Sequence, residues 1–327
     1  MSRVFLTLFC ALAIATPAAA ADKLKMSYVV PVTEYAGILL GYDAGFYKDE
    51  GLDVELTQAG GGVATPALIS GDQDFTGSPG AAISAILKGA KLKVIFITND
   101  RPGYLLWAQP NIKVAADLKD KQVGVISRGD TTEIAMRYYL IKQGLASDSV
   151  AFTPLGTGTA RLAALASGSY PAVVLGQIET AQLKSSGRIG QLHLLADFTE
   201  SVRMTFSGIA TSDAEIANHP DRVLKVMRAA MKGIALAKVA RERTIDAIMK
   251  HGNPDRASAE VDYDITAHEL TDTGDMADPD LAFELKLRGD VLGVPPDKIP
   301  GIDKVFDFSF VRKAAQQLKA EGWKPKP

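Results

Sequence analysis

Two stretches of this chain, Pro66-Ala-Leu-Ile-Ser-Gly-Asp-Gln-Asp-Phe75 and Leu162-Ala-Ala-Leu-Ala-Ser-Gly-Ser-Tyr-Pro-Ala-Val173, are built to one plan. Each reads as the end of an apolar helix, a glycine suited to the left-handed C-cap, and a short strand directly after it. The surrounding sequence extends the plan. In the first half, strands are predicted near residues 24–30, 53–58, 74–77 and 92–98, alternating with helices near 35–44, 63–69 and 80–87. In the second, strands fall near 122–126, 151–155, 172–175 and 192–196, with helices near 131–143, 159–166 and 178–186. Alternation of this kind requires a sheet with helices on its faces, and its duplication requires two.

Between the halves, Tyr104-Leu-Leu-Trp-Ala-Gln109 and Met204-Thr-Phe-Ser-Gly-Ile-Ala-Thr211 alternate like strands and are expected to cross from one lobe to the other. The tail from Ser212 reads as mostly helical and is expected to return to the first lobe. The expected division is residues 22–105 with 208–327 in the first lobe and 106–207 in the second. Two lobes joined by two crossing strands can close on a ligand by hinge motion.

The opening of the first half is more particular. An apolar helix face, Ile38-Leu-Leu40, breaks at Gly45, a second turn ends at Gly51, and Asp53-Val-Glu-Leu56 alternates with the period of a strand. The wording Leu40-Gly-Tyr-Asp-Ala-Gly-Phe-Tyr-Lys-Asp-Glu-Gly-Leu-Asp-Val54 resembles the opening of solute-binding proteins that serve nitrate/taurine-type ABC importers. The resemblance implies an α/β periplasmic binding protein of the type II clamshell kind, each lobe a mixed sheet flanked by helices. It also implies a small-molecule ligand between the lobes, an ABC permease and its ATPase as partners, a monomer, no cofactor and no enzyme activity. The second copy of the repeat departs from the family, with Tyr170-Pro171 where an acidic residue is usual.

Arg3, the apolar run from Val4 to Ala15, and Ala19-Ala-Ala21 fit a signal peptide cleaved after Ala21, and the run is too short to span a bilayer. The expected location is the periplasm. Cys10 lies inside that run, and Thr7-Leu-Phe9 before it lacks the small residues of a lipobox. Without Cys10 the mature chain has no cysteine, which excludes disulfides, thiolate catalysis and cysteine-bound metal. Hydrophobic residues at 47% suffice for two cores. Thirty-six basic and thirty-eight acidic residues nearly cancel, and no basic block marks a nucleic-acid surface.

In α/β sheets ligands bind beyond the carboxyl ends of parallel strands, where helix N-termini present free N–H groups. Ser127-Arg-Gly-Asp-Thr-Thr132 follows a strand and opens a helix. Ser127, Gly129 and Thr131 suit an oxyanion there, Arg128 suits a carboxylate or sulfonate, and Asp130 with Glu133 suits a capping box. In Pro31-Val-Thr-Glu-Tyr35, Thr33 either caps or contacts ligand, and Tyr35 either contacts ligand or joins the core. Glu34 would repel an anion unless neutralised, and would suit an amine or ring N–H. Gly77-Ser-Pro-Gly-Ala81 offers Ser78 and Pro79, but Thr76 before Gly77 breaks the nucleophile-elbow pattern. Gly60-Gly-Gly62 and Gly156-Thr-Gly-Thr159 precede helices and permit close backbone approach, which adds Gly61 and Thr157 as candidates. Asn99-Asp-Arg-Pro-Gly103 leads into the first crossing, with Gln177 and Glu179 expected opposite. Arg101 either pairs with Asp100 or reaches the ligand, and Phe206 lines the cleft floor or fills the hinge core.

Other patterns carry less. Gly156-x-Gly158 follows a strand, but Arg161 stands where a dinucleotide fingerprint needs its third glycine. Asp262-Tyr-Asp264 lacks the glycine and terminal Glu of a calcium loop, so the acidic tract from Glu260 to Asp280 reads as a solvated helical face and loop. His193, His219, His251 and His268 are scattered without metal-ligand spacing. The pyrimidine-forming enzymes on the same fold carry a cysteine-rich motif that the mature chain lacks. A binding protein that reports to a membrane sensor rather than a permease fits equally. The favoured ligand is an organic anion such as a sulfonate or aromatic carboxylate; a pyrimidine, a vitamin precursor or a nitrate-like solute is the alternative.

Overall fold

The computed structural model describes residues 21–187, 189–252 and 255–326, so the expected signal peptide lies outside the described residues apart from Ala21. Among the described residues, ten strands form two sheets: β1 (Asp22–Tyr28), β2 (Leu52–Gln58), β3 (Phe75–Thr76), β4 (Leu92–Asn99), β5 (Tyr104–Ala108), β6 (Gln122–Val125), β7 (Ala151–Pro154), β8 (Ala172–Gly176), β9 (His193–Asp197) and β10 (Ser207–Ser212). The first sheet runs β2-β1-β3-β10-β4 and the second β7-β6-β8-β5-β9. In each, four strands run parallel, and the strand fourth in order, β10 or β5, is antiparallel and comes from beyond a crossing. The two sheets are one topology used twice. Helices Gly61–Ser70 and Gly158–Ala166, which carry the sequence repeat, are closed by Gly71 at φ 84° and Gly168 at φ 75°.

The crossings are shorter than their alternation suggests. β5 lies wholly in the second sheet and β10 wholly in the first, because their alternation reports sheet faces covered by helices rather than passage between lobes. The second sheet thus starts at Tyr104 and the first resumes at Ser207. The chain passes between them at residues 100–103 and 202–206, outside any strand. These passages run side by side: Met204 N donates to Asp100 O at 3.0 Å and Phe206 N to Asn99 O at 3.1 Å.

Each sheet has its own core. The helical tail covers the first, where Gly233 lets helix Pro220–Ala237 approach helix Ala36–Asp43 so closely that a Cβ would stand 2.7 Å from Gly37 O. One tail helix serves both cores. In Asp278–Leu292, Leu281 and Leu285 belong to the first core, while Leu287 belongs to the second, with Phe283 and Val291 packed beside it. Spacings of four residues place these two sets on opposite faces.

Candidate functional site

Loops that follow the parallel strands of both sheets meet at the crossings. A Cβ on Gly103 would stand 3.2 Å from Gln177 Nε2 and 3.4 Å from Glu34 Oε1, so the loops after β1 and β8 converge on the first passage. A Cβ on Gly80 would stand 3.7 Å from Thr131 Oγ1, which joins the loops after β3 and β6. Tyr104 opens β5 at the base of this gap and meets Phe206 edge-on, with ring centroids 5.4 Å apart.

The electrostatics are uneven. Burial holds the Tyr104 hydroxyl above the usual phenol range, and Asp130, Glu34 and Glu179 push in the same direction while Arg161 opposes them. Burial, then the Asp262 and Glu269 carboxylates, raise Glu34 well above the usual range and favour its neutral form. Glu269 is pushed up to about 7, chiefly by burial and then by Asp197 and Glu200, against a hydrogen bond from Asn99 and the charge of Arg101. Arg161, the cation that opposes the rise at Tyr104, is buried and donates to Val174 O at 2.7 Å and to Gly156 O.

Among the expected residues, Thr33 is buried and donates through both N and Oγ1 to Asp262 Oδ2, at 2.7 and 2.6 Å. The acidic tract is therefore not all solvated: Asp262 turns inward, and burial raises its carboxyl against those bonds. Tyr35 sits in the first core. Gly61 begins its helix against Ala81 and Ser78. Pro79 is the first residue of helix Pro79–Ile86 and is buried, and Ser78 precedes it as an N-cap whose side chain caps nothing.

In the second lobe, Asp130 caps helix Thr131–Lys142 by accepting from Glu133 N at 3.2 Å. Glu133 reaches one residue past the N-cap and accepts from Gly129 N at 2.8 Å, so the reciprocal bond of the expected box is shifted by a residue. Ser127 and Arg128 are exposed, and Gly129 takes φ 74° between them and the cap. Thr157 is exposed and caps helix Gly158–Ala166. Glu179 lies over Gly158 and Gly176, where side chains would overlap its carboxylate. Arg101 stands 4.0 Å from Asp100, a loose pair.

Sequence reasoning missed several neighbours. In the sequence Tyr104 reads as the first of six alternating residues, Tyr104 to Gln109. Asp262, Glu284 and Arg288 lie far along the chain from the loops they serve, and no local spacing points to them. Buried side-chain atoms without a hydrogen-bond partner include Ser78 Oγ, Gln177 Oε1, Thr205 Oγ1 and Arg288 Nη2, all on segments that border the gap. Native structures leave few such atoms, and each asks for an explanation. A separate cavity of about 360 Å³ behind the first sheet is lined by Phe96, Ile234, Leu318 and Trp323, with the paired Lys238 and Asp272 beside them. Among the described residues, no group of three or more His, Cys, Asp or Glu is placed to hold a metal, and no helix is long and apolar enough to cross a membrane.

The fold and sequence have relatives. The aliphatic sulphonate binding protein SsuA of Escherichia coli superposes with a TM-score of 0.71 at 18% identity, covering 86% of this chain and 91% of that one. The nitrate-binding protein NrtA of Synechocystis PCC 6803 gives 0.69 at 15% identity, covering 92% and 90%. At these identities the likeness establishes the periplasmic binding protein fold. The riboflavin-binding protein RibY of Chloroflexus aurantiacus is 26% identical over 223 residues, 65% of this chain and 61% of RibY, so this chain spans less than two thirds of that relative. Residues 32–241 match the family described as NMT1/THI5 like, from the first loop of the gap to the start of the tail, and the chain belongs to that family.

Proposed function

We propose that the protein is the periplasmic substrate-binding component of an ABC importer. It captures one small organic solute between its lobes and delivers it to a membrane permease, with no chemistry of its own. The observation that carries this reading is the set of buried polar atoms without partners on segments bordering the gap. A solute seated there would complete their hydrogen bonds, and closure would exclude water and strengthen each contact. The names of the relatives, sulphonate-binding, nitrate-binding and riboflavin-binding, support solute capture as the common theme.

The solute we favour is an organic anion, and an aromatic acid over a simple sulfonate. Tyr104 and Phe206 offer ring edges at the base of the gap, and Glu34 Oε1 beside Gly103 and the unpartnered Gln177 Oε1 are acceptors for ring N–H groups. Burial, with Asp262 and Glu269 nearby, raises the Glu34 carboxyl toward its neutral form, which repels an anion less than an ionised carboxylate would. Arg128 at the exposed rim and Arg101 beside Asp100 are free to turn toward an acid group.

The test uses protein without residues 1–21 in a thermal-shift screen of sulfonates, aromatic acids, nitrate, pyrimidines and flavins. A solute at a thousand times its Kd adds about 4 kcal/mol, a shift of several degrees. Small-angle scattering with that solute should give a smaller radius. No stabilising class, or an unchanged radius at saturation, would refute the reading.

A further inference from the structure

We infer that Ser78, Thr205 and Arg288 form an oxyanion recess at the side of the cleft where helix Asp278–Leu292 joins both lobes. The recess takes a carboxylate, sulfonate or phosphate group. It rests on the reading of the gap as the solute site and adds a subsite that the loops alone do not contain.

The recess is organised by one carboxylate. Glu284, fully buried, accepts from Thr205 N at 2.8 Å on one oxygen and from Arg288 Nε at 2.7 Å on the other. Thr205 and Arg288 are thereby neighbours, one on the second passage and one on the tail helix. Each still has a polar atom to satisfy: Thr205 Oγ1 and Arg288 Nη2 have no partner, although Thr205 is 0% and Arg288 1% exposed. A guanidinium only donates, and hydroxyls donate as readily as they accept, so what this set lacks in common is an acceptor.

The first lobe brings the third member. Ser78 is 6% exposed, and its Oγ has no partner either. Two residues on, a Cβ at Gly80 would stand 3.3 Å from Arg288 Nη2 and 3.7 Å from Thr131 Oγ1. The guanidinium therefore lies against the first turn of helix Pro79–Ile86 and beside the first residue of helix Thr131–Lys142. Both helices turn their positive ends to this point. Glu284 offsets the charge of Arg288 but uses its oxygens on Nε and Thr205 N, so the free Nη2, the two hydroxyls and two helix ends favour a charged acceptor over a neutral carbonyl.

Sulfate and inorganic phosphate are the probes, added to the full mature chain at ionic strength held constant with chloride. Titration calorimetry and melting temperature are read together. Wild type should bind sulfate and gain stability that chloride does not give. Thr205→Val and Ser78→Ala remove a hydroxyl that has no partner, so each should leave the free protein as stable or more so while weakening sulfate about fivefold. Gly80→Ala should weaken it more than about tenfold by setting a methyl against Arg288 Nη2, although alanine suits a helix better. Arg288→Lys, which keeps the charge beside Glu284, should recover only part of the wild-type affinity.

Benzenesulfonate separates two sources of the anion. Binding about tenfold tighter than sulfate assigns the recess to the acid group of an organic solute, since the ring adds buried area. Equal binding assigns it to a free inorganic ion. No effect of sulfate or phosphate on wild type, or unchanged affinity in the three neutral variants, overturns the recess. A solute that closes the lobes while sulfate does not bind would leave the transport reading intact and remove this one; sulfate binding with no closing solute would do the reverse.

Discussion

The two lobes share one strand order, yet the helices that open onto the gap begin differently. In the second lobe, Asp130 caps helix Thr131–Lys142, Thr157 caps helix Gly158–Ala166, and the Glu179 carboxylate lies over Gly158. In the first, helices Gly61–Ser70 and Pro79–Ile86 follow Gly60 and Ser78 and have no side-chain cap. A capped start has committed donors to its own loop, whereas an uncapped one keeps them for something else. The second lobe is thus largely a self-contained wall, helix Gln177–Ser185 with its uncapped start after Gly176 being the exception, and the first holds donors in reserve. The loop after β1 is a third case, since Thr33 is served by Asp262 from 229 residues away.

Glu133→Ala should break the self-contained wall most severely. The buried carboxylate accepts from Gly129 N at 2.8 Å and from Arg137 at 2.6 and 2.9 Å, so its loss leaves a partly buried cation without its partner. Urea denaturation should register a loss of about 3–4 kcal/mol. A loss below about 1 kcal/mol would mean that the wall does not depend on its own carboxylates. Asp262→Ala should cost about 2–3 kcal/mol in the same titration, because two Thr33 donors lose one acceptor, while Asp262→Asn retains most of the difference.

The reserve of the first lobe is tested by adding what it lacks. Ser78→Asp supplies a cap and a negative charge at the start of helix Pro79–Ile86, and should raise the melting free energy by about 1 kcal/mol. The same variant should bind no sulfate, because the new carboxylate takes the donors first. Stabilisation with undiminished sulfate binding would show that the uncapped start is not a reserve at all.

The smallest effect concerns the acids beside the crossings. Glu269 rises from 4.5 to about 7 on folding, and Glu34 and Asp262 rise as well, so the folded state binds more protons than the unfolded chain between these values. Their contribution is fully present below the unfolded values and is lost as pH rises through the folded ones. Melting temperature should therefore decline between pH 4.5 and about 7, and Glu269→Gln should flatten that decline. A rise over that interval would show that these carboxylates are better solvated than their position suggests.

Strands and helices of both halves are legible in the sequence because period and punctuation act locally. Gly71 and Gly168 mark helix ends by a backbone angle that other residues avoid, and Asp130 marks a helix start by a bond three residues long. The site is legible only in part. Glu34, Ser78 and Gln177 follow strands and were accessible to topology, but Asp262, Glu284 and Arg288 belong to tail helices whose charged residues look like ordinary surface. Nothing in Leu285-Lys-Leu-Arg288 tells that the arginine is 1% exposed, because that depends on two lobes folding around one helix. The crossings were misjudged in length for a related reason: a short alternating run tells which faces are covered and not which sheet covers them.

Helix Asp278–Leu292 also governs the order in which the molecule can be assembled. The last strand of the second sheet ends at Asp197, yet the core behind that sheet is finished by Phe283, Leu287 and Val291. During chain growth the second lobe therefore remains with an open apolar face long after its own strands have emerged, and neither half reaches its final packing before the other. Packing of this kind predicts that truncation before helix Asp278–Leu292 destabilises both lobes, even though the duplicated sheets suggest two units able to fold in turn.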